Sequence, residues 1–194
     1  MSSDASTTRE RILQSTWTAL LGSSTPRVRM SDIASSAGIS RQALYLHFAN
    51  RTEVLIATTH YIDRKKDIDH RLALSRGASS GLERLEAFVD AWGNYIPEIY
   101  GVANALIVMG VTDESARQAW TGRLAAVREG CEAIILTLCR EDQLSDAVNP
   151  TEATDILCAH LSVETWRYLR HTRGWNQTRY LEVMQQTLRT TLVR

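Results

Sequence analysis

Apolar residues recur at intervals of three and four along most of the chain, as they do on the buried face of an amphipathic helix. The first series predicts a helix that ends at the sequence break 22–26, and its members are Ile12, Leu13, Trp17, Leu20 and Leu21. Thr7 and Glu10 have the spacing of a capping box, which predicts that this helix begins near Thr7.

The same spacing predicts the remaining helices. They are expected at 30–37, 41–47, 51 to about 71, 82–96, 98–110, 113–140, 152–171 and 176–192. Pro97 is expected to separate the fifth from the sixth, and residues 77–81, which are rich in glycine and serine, form the clearest linker. Strict alternation of apolar and polar residues, the mark of a strand, is found nowhere, so the prediction is an all-α fold of about nine helices.

Composition places the chain among globular proteins. Of its 194 residues 44% are hydrophobic and 23% are charged, which excludes a disordered or fibrous chain. The longest apolar stretch, 102–111, is too short to span a bilayer, and the polar first nine residues do not form a signal peptide. Three cysteines without a CxxC pair indicate a reducing compartment, so we expect a cytoplasmic protein that does not contact a membrane.

The most informative stretch is 31–48, where a short helix, a glycine turn and a second short helix form a helix-turn-helix pattern. Gly38 can adopt the left-handed conformation that the turn requires, and Ser40 is placed to cap the second helix. Ile39, Leu44 and Phe48 are expected to anchor that helix to the core. Such a helix fits the major groove of B-DNA, where its N-terminal residues reach the base edges.

Charge is unevenly distributed along the chain. The net charge is zero, but residues 1–52 contain six arginines and three acidic residues, a net charge of +3. A basic head on an acidic body favours contact with a polyanion, although so small an excess also arises by chance.

The helix-turn-helix stretch resembles the DNA-binding head of the TetR (tetracycline-repressor-like) family. The matching residues are Ile33-Ala34, Ala37-Gly38-Ile39-Ser40, Leu44-Tyr45-Leu46-His47-Phe48 and Arg51, and the match extends back to Ile12 and forward to Val54. The resemblance implies a DNA-binding head over residues 1–52 and a ligand-binding and dimerisation body over 53–194.

The resemblance also implies roles for single residues. Tyr45 and His47 would contact phosphates and sugars, and Arg51 would bind a phosphate from the start of the fourth helix. Ser40 is also expected to be a DNA-binding residue. Arg41, Gln42 and Ala43 occupy the positions that read sequence, and their chemistry suits guanine, adenine and the thymine methyl, respectively.

Each of these contact residues also has an ordinary structural reading. Tyr45 can be a packed aromatic residue, His47 a solvated or capping one, and Arg51 a surface charge at a helix N-terminus. Where the family has a capping Ser or Thr, this chain has Arg29, which has no acceptor but can bind a phosphate as a charge. Ser31 is the alternative cap, and Arg27 and Arg29 can instead be solvated loop residues.

The body is predicted to hold a small-molecule effector and the dimer interface. In the family the last two long helices pair with those of a second subunit, which here are 152–171 and 176–192. Effector candidates are large apolar residues with two polar anchors, namely Trp92, Tyr95, Met109, Trp120, Trp166, His160 and Glu164.

The effector candidates have plainer readings too. Aromatic residues at helical spacing also form cores, and His160 and Glu164 also fit an ordinary polar pair or a zinc half-site. The three cysteines are read as buried apolar residues, with a thiol redox sensor as the alternative. Cys131 and Cys139 are too far apart on one helix to bridge. No cofactor, metal site or catalytic residue is predicted.

The sequence therefore predicts a homodimeric transcriptional regulator, a repressor released from a pseudo-palindromic operator by a small apolar or aromatic effector. The fourth helix, 51 to about 71, is expected to transmit the ligand-induced shift to the head. Activation instead of repression remains open. An all-α enzyme and a helical interaction module whose head no longer binds DNA are the other readings. The chain has no GxSxG, P-loop or HExxH motif, which speaks against the enzyme.

Overall fold

The computed structural model describes residues 2–21 and 29–194, and within them it is helical. Within these two ranges there are ten α-helices: α1 Ser2–Leu21, α2 Met30–Ser36, α3 Arg41–His47, α4 Arg51–Lys65, α5 Ile68–Arg76, α6 Gly81–Met109, α7 Glu114–Arg140, α8 Pro150–His160, α9 Val163–Arg167 and α10 Gln177–Leu192. A π-helical segment, Tyr168–Thr172, follows α9. Extended pairing in the described ranges is limited to one isolated bridge, between Leu144 and Val193. The all-α prediction is confirmed.

The contacts of the chain group it into two compact units. The first unit contains residues 1–66 and 98–121, and the second contains 67–97 and 122–194. The boundary between them falls inside α6 and α7, which run from one unit into the other. The division into a head (1–52) and a body (53–194) concerns function and stays a prediction.

Helix α1 begins earlier than the capping-box pattern indicates. It starts at Ser2, so Thr7 and Glu10 lie inside the helix and the predicted start near Thr7 is wrong. Ile12 and Leu20 are buried on the face that packs against α4 and α2. The predicted break at 22–26, like Arg27, lies outside the described residues.

Helices α1 and α6 of the first unit meet at backbone level. Gly101 of α6 lies against Leu20 of α1, and a Cβ atom at Gly101 would come within 2.6 Å of the Leu20 carbonyl oxygen. Trp17 lies near this crossing, and its indole N–H donates to the Glu98 carbonyl at 3.0 Å. Only glycine allows the two helices to approach this closely.

The long fourth helix expected to reach about Arg71 is interrupted. Helix α4 ends at Lys65, and α5 begins at Ile68. Between them Asp67 adopts a left-handed conformation, with φ of 48°. Aspartate is one of the few residues that tolerate this conformation, so the chain turns there without a glycine.

Pro97 does not end a helix, contrary to the prediction, because α6 continues through it from Gly81 to Met109. Proline has no N–H to donate to the carbonyl four residues earlier, which is that of Gly93. The side chain of Gln177 replaces that donor, since its Nε2 lies 3.0 Å from the Gly93 oxygen. Its Oε1 accepts from the indole N–H of Trp166 at 3.0 Å.

The helix predicted over 152–171 is also interrupted, at Leu161–Ser162, where α8 ends and α9 begins. Side-chain donors replace the helical N–H donors that are missing at this break. The Leu161 carbonyl accepts from the Trp92 indole N–H at 3.1 Å, and the Ala159 carbonyl accepts from the Thr165 hydroxyl at 2.7 Å. Ser162 caps α9 through its Oγ, which accepts from the Thr165 N–H. The break is therefore stabilised by partners on both sides.

Helix starts elsewhere agree with local signals. Asn149 caps α8 and forms a capping box with Glu152, and Pro150 occupies the first turn. Asn176 caps α10 by accepting from the Arg179 N–H at 2.8 Å. No helix in the described ranges is long and apolar enough to cross a membrane.

Candidate nucleic-acid interface

The turn between α2 and α3 has the geometry that the sequence predicts. Gly38 has φ of +65°, in the left-handed region. The Ile39 N–H donates to the Ala34 carbonyl at 3.0 Å, which closes the turn. Leu44 and Phe48 are buried and hold α3 against the core of the first unit, whereas Ile39 is only half-buried.

The N-terminus of α3 is presented to solvent. Ser40 caps the helix, since its Oγ accepts from the Ala43 N–H at 3.1 Å. This bond uses one lone pair of the hydroxyl, whose O–H can still donate to a phosphate oxygen. Arg41 and Gln42 are exposed and Ala43 is half-buried, so all three begin a face that a DNA groove can reach.

Arg41 and Tyr45 form a pair one helical turn apart. The Arg41 guanidinium donates to the Tyr45 Oη at 3.4 Å and lies over its ring, 5.6 Å from the centroid. The hydrogen bond to Tyr45 raises the pKa of Arg41, so the guanidinium keeps its charge. Tyr45 is 43% exposed and is therefore available as a contact residue, not packed as a core aromatic residue.

Arg9 of α1 supports the end of α3, which the sequence interpretation did not foresee. Its guanidinium donates to the His47 carbonyl at 3.2 Å and lies over the Phe48 ring, 4.2 Å from the centroid. The His47 side chain is half-buried. A basic residue on α1 thus both orients α3 and adds a positive charge beside it.

Leu46 is the second residue that sequence reasoning missed. It is 84% exposed on α3, although leucine usually lies in a core. It follows Gln42 by four residues, so both lie on the outward face of the helix. A helical wheel centred on the buried Leu44 shows this face from the sequence alone.

Arg29 occupies the N-cap position of α2 without capping it through its side chain. Its backbone N–H donates to the Asp32 carboxylate at 3.2 Å, and its guanidinium is exposed. The helix begins at Met30, and Ser31 donates to Asp32. The alternative in which Ser31 caps a later start is therefore wrong.

The start of α4 is tied to the turn between α6 and α7, all within the first unit. Arg51 is half-buried and donates from its Nε to the Met109 sulfur at 3.0 Å. Thr52, buried, donates to the Asp113 carboxylate at 2.5 Å. The same carboxylate accepts from the Ala116 N–H at 3.1 Å and so caps α7. These bonds, that of Thr52 first, lower the pKa of Asp113.

The effector candidates lie in both units. Met109 and Trp120 belong to the first, and the other five belong to the second. In the second unit Trp92 and Tyr95 are buried on α6 with their ring centroids 5.5 Å apart. Trp92 is also stacked on Phe88 at 6.5 Å.

The two polar anchors do not share a helix face. His160 ends α8 and Glu164 lies in α9, because the chain breaks between them. His160 Nδ1 lies 2.8 Å from the Ile156 carbonyl, while Glu164 is exposed. Among the residues that the structure describes, no three His, Cys, Asp or Glu side chains cluster as metal ligands.

Comparison with known proteins agrees with this geometry. Residues 24–58 match the sequence model of the bacterial regulatory proteins of the tetR family. A comparison with curated proteins finds no match.

Solved structures share the fold over nearly the whole chain. A protein described as a transcriptional regulator from Saccharomonospora viridis, in complex with choline, is 19% identical with a TM-score of 0.82 and covers 97% of this chain and 99% of its own. A TetR transcription regulator from Haloarcula marismortui is 19% identical with a TM-score of 0.77, over 97% and 100%. NalD of Pseudomonas aeruginosa, the secondary repressor of the MexAB-OprM multidrug efflux pump, is 20% identical with a TM-score of 0.66, over 98% of each chain.

The match in the head and the geometry of α2 and α3 point to the same activity. An exposed recognition helix with a basic N-terminus suits the binding of DNA. In residues 24–58 the chain is similar to the bacterial regulatory proteins of the tetR family, and it shares its fold with solved transcriptional regulators.

Proposed function

We propose that this chain is a ligand-responsive repressor that acts as a homodimer on a pseudo-palindromic operator. The observation that carries the proposal is the exposed face of α3, where Ser40, Arg41 and Gln42 precede a buried anchor at Leu44. Two such helices at major-groove spacing, about 34–36 Å, require two subunits.

Within this proposal the DNA contacts divide into two kinds. Arg41, Gln42 and Ala43 read base edges, whereas the remaining residues bind phosphates and sugars. Those are Arg29, Ser40, Tyr45, His47 and Arg51. Arg51 bonds to the Met109 sulfur in the DNA-free chain. It must leave this weak acceptor to reach a phosphate, and a charged oxygen is the better partner.

The proposed dimer forms through the segments 152–171 and 176–192. Tyr168, in the π-helical segment, is 51% exposed, which supports an interface that covers it.

The proposed effector is small and apolar or aromatic, held by the candidates around Trp92 and Tyr95. One structurally similar protein is described in complex with choline, and aromatic faces also suit a quaternary ammonium ion. Choline therefore belongs among the compounds that are screened. The effector must favour the DNA-incompetent state by a few kcal/mol to release the operator.

The proposed ligand response does not follow an unbroken α4, which is the route that the sequence predicts. Met109, an effector candidate, contacts Arg51, a DNA candidate, and Asp113 is bonded to the neighbouring Thr52. A ligand-induced shift of the end of α6 would act on the start of α4 through these two contacts.

The experiment is fluorescence-anisotropy titration of a duplex from upstream of the gene, with an unrelated duplex as control. Specific regulation predicts affinity for the operator at least about a thousandfold higher than for the control. Arg41→Ala is expected to lose about 1–3 kcal/mol of base discrimination. Arg140→Ala, an exposed arginine at the end of α7, is the matched control and keeps it. Equal, weak binding to every duplex of a random pool would contradict DNA recognition.

The effector is tested in the same assay. A compound that binds the body must weaken DNA binding, and DNA must weaken compound binding by the same factor. A compound that binds tightly and leaves the operator affinity unchanged is not the effector.

A further inference from the structure

Met109, the last residue of α6, accepts a hydrogen bond from the start of α4. The Nε of Arg51 lies 3.0 Å from the Met109 sulfur. A thioether is a weak acceptor, whereas a guanidinium bonds most strongly to charged or strongly polarised oxygens. The strength of this contact therefore depends on the chemical state of the sulfur.

The end of α6 is fixed beside the start of α4. The Met109 carbonyl accepts from the N–H groups of Thr112 and Asp113 at 3.0 and 2.9 Å, which closes the turn after the helix. The Asp113 carboxylate in turn accepts from the hydroxyl of Thr52, the residue after Arg51. A chemical change at the sulfur is therefore expected to act on Arg51 where it now lies.

Met109 is also the most exposed methionine of the described residues. It is half-buried, whereas Met30 is 9% and Met184 is 4% exposed. Val108 and Val111 on either side of it are exposed, so this end of α6 lies at the surface. An oxidant in solution should reach the Met109 sulfur before the other two.

We propose that Met109 is an oxidation site at which a sulfoxide retains Arg51 and so weakens DNA binding. The oxidant is a small hydroperoxide. A lone pair of the sulfur attacks one peroxide oxygen and the O–O bond breaks. The other oxygen leaves as water or an alcohol, with the proton that the attacked oxygen carried. The sulfur has lost two electrons, and the hydroperoxide has gained them.

The sulfoxide oxygen is a much stronger acceptor than the thioether. The guanidinium of Arg51 has five N–H donors, so it can bond to this oxygen while it stays beside the sulfur. The effect on DNA rests on the proposed function, in which Arg51 binds a phosphate. An Arg51 that is held by the sulfoxide is withdrawn from that phosphate. The oxidised chain should therefore bind DNA more weakly and with a smaller dependence on salt.

The modification can be distinguished from the oxidation of cysteine. Cys139 and Cys158 are half-buried and can also react with a peroxide. Dithiothreitol reduces sulfenic acids and disulfides, whereas the return of a methionine sulfoxide to the thioether requires methionine sulfoxide reductases. A dithiothreitol step after the oxidant therefore restores the thiols and leaves the sulfoxide in place.

The first test identifies the oxidised residue. The full chain is treated with hydrogen peroxide and then with dithiothreitol, and its peptides are mapped by mass spectrometry. One added oxygen is expected on Met109 well before Met30 or Met184 reacts, and a mixture of both sulfoxide reductases should remove it. Oxidation of Met30 or Met184 as fast as that of Met109 would overturn the proposal.

The second test measures operator binding by fluorescence anisotropy before and after the same treatment. Oxidation is expected to weaken binding at least about tenfold and to lower the salt slope by about 1 for each Arg51 withdrawn. Met109→Leu, which cannot form a sulfoxide, should keep its affinity after treatment. Met109→Gln, which places an amide oxygen near Arg51, should bind weakly without any oxidant. An unchanged or higher affinity of the oxidised wild type, or an equal loss in Met109→Leu, would contradict the proposal.

The retention of Arg51 can also be measured without DNA. In Arg51→Ala the sulfoxide has no guanidinium partner, so oxidation should lower the urea midpoint of this variant more than that of the wild type. If the unoxidised chain binds no operator, the proposed function fails, and this comparison alone decides whether the sulfoxide holds Arg51. Equal shifts of the midpoint in both chains would then overturn the inference.

Discussion

The amide of Gln177 is expected to carry more of the fold's stability than a half-buried polar residue usually does. It donates to the carbonyl that Pro97 leaves without a helical donor, and it accepts from the Trp166 indole. Gln177→Ala leaves both the Gly93 carbonyl and the Trp166 N–H without these partners, and both residues are buried.

The magnitude follows from the two groups. Each buried polar group left without a partner costs about 1–3 kcal/mol. Water can enter the space left by the shortened side chain, so we expect a total loss of about 2–3 kcal/mol in the free energy of unfolding. For a chain of this size that lowers the melting temperature by roughly 5–10 °C. Gln186→Ala, an exposed glutamine on the same helix, is the matched control and should change stability by less than about 0.5 kcal/mol.

A second substitution tests the cause. Pro97→Ala restores a backbone N–H that can donate to the Gly93 carbonyl, the group that Gln177 otherwise serves. It should therefore stabilise the Gln177→Ala chain by about 1 kcal/mol more than it stabilises the wild type. Urea unfolding of the four chains measures this difference. The same effect of Pro97→Ala in both backgrounds would refute the argument that Gln177 substitutes for the proline's missing donor.

Three further results are expected. Thr52→Val should lower the free energy of unfolding by about 1–1.5 kcal/mol at pH 7, whereas Thr52→Ser should not. The pKa of Asp113 is lower in the folded chain, so its bond to Thr52 stabilises the fold above the unfolded pKa of about 3.9 and is lost as pH falls through the folded pKa. The free energies of unfolding of Thr52→Val and wild type should therefore converge in acid. A difference between them that stays constant with pH would be inconsistent with this argument. Leu46→Ala should leave the melting temperature unchanged but weaken operator binding measurably in the anisotropy assay, and an unchanged operator affinity would remove Leu46 from the interface. Tyr168→Arg should shift the sedimentation coefficient towards the single chain at micromolar concentration, whereas an unaltered dimer would place the interface elsewhere.

Short-range signals predicted the helix-turn-helix segment of α2 and α3 well. The bounds of α3 follow from Ser40, whose hydroxyl caps the helix, and from Gly38, whose positive φ ends the preceding turn. These residues act on neighbours within three or four positions, so their effect can be predicted from the sequence. The burial of Leu44 and Phe48 follows from the same local spacing.

The misassigned helix boundaries have long-range causes. Pro97 is tolerated because Gln177, 80 positions later, supplies a donor to Gly93. The end of α8 at His160 is stabilised by Trp92, whose indole binds the Leu161 carbonyl across 69 positions. Neither partner can be inferred from local propensity, which treats proline as a stop and an apolar periodic run as one helix.

In the candidate site, too, features with local causes could be predicted and features with long-range causes could not. The exposed residues at the start of α3 could be selected from helical geometry and the family resemblance, and on this helix the exposure of Leu46 was overlooked. The contact of Arg51 with Met109 and the ion pair of Arg128 with Asp155 join residues 58 and 27 positions apart. Such pairings become visible only when the helices are assembled.

The backbone contact between Gly101 and Leu20 has a mechanical consequence. Where two helices meet through side chains, rotamer changes absorb a displacement of a few tenths of an ångström. Here the Leu20 carbonyl lies where a Cβ of residue 101 would stand, and a backbone carbonyl has no side-chain torsion that can yield. The contact between α1 and the second half of α6 is therefore stiff. A small translation of α6 is expected to move α1 by nearly the same distance.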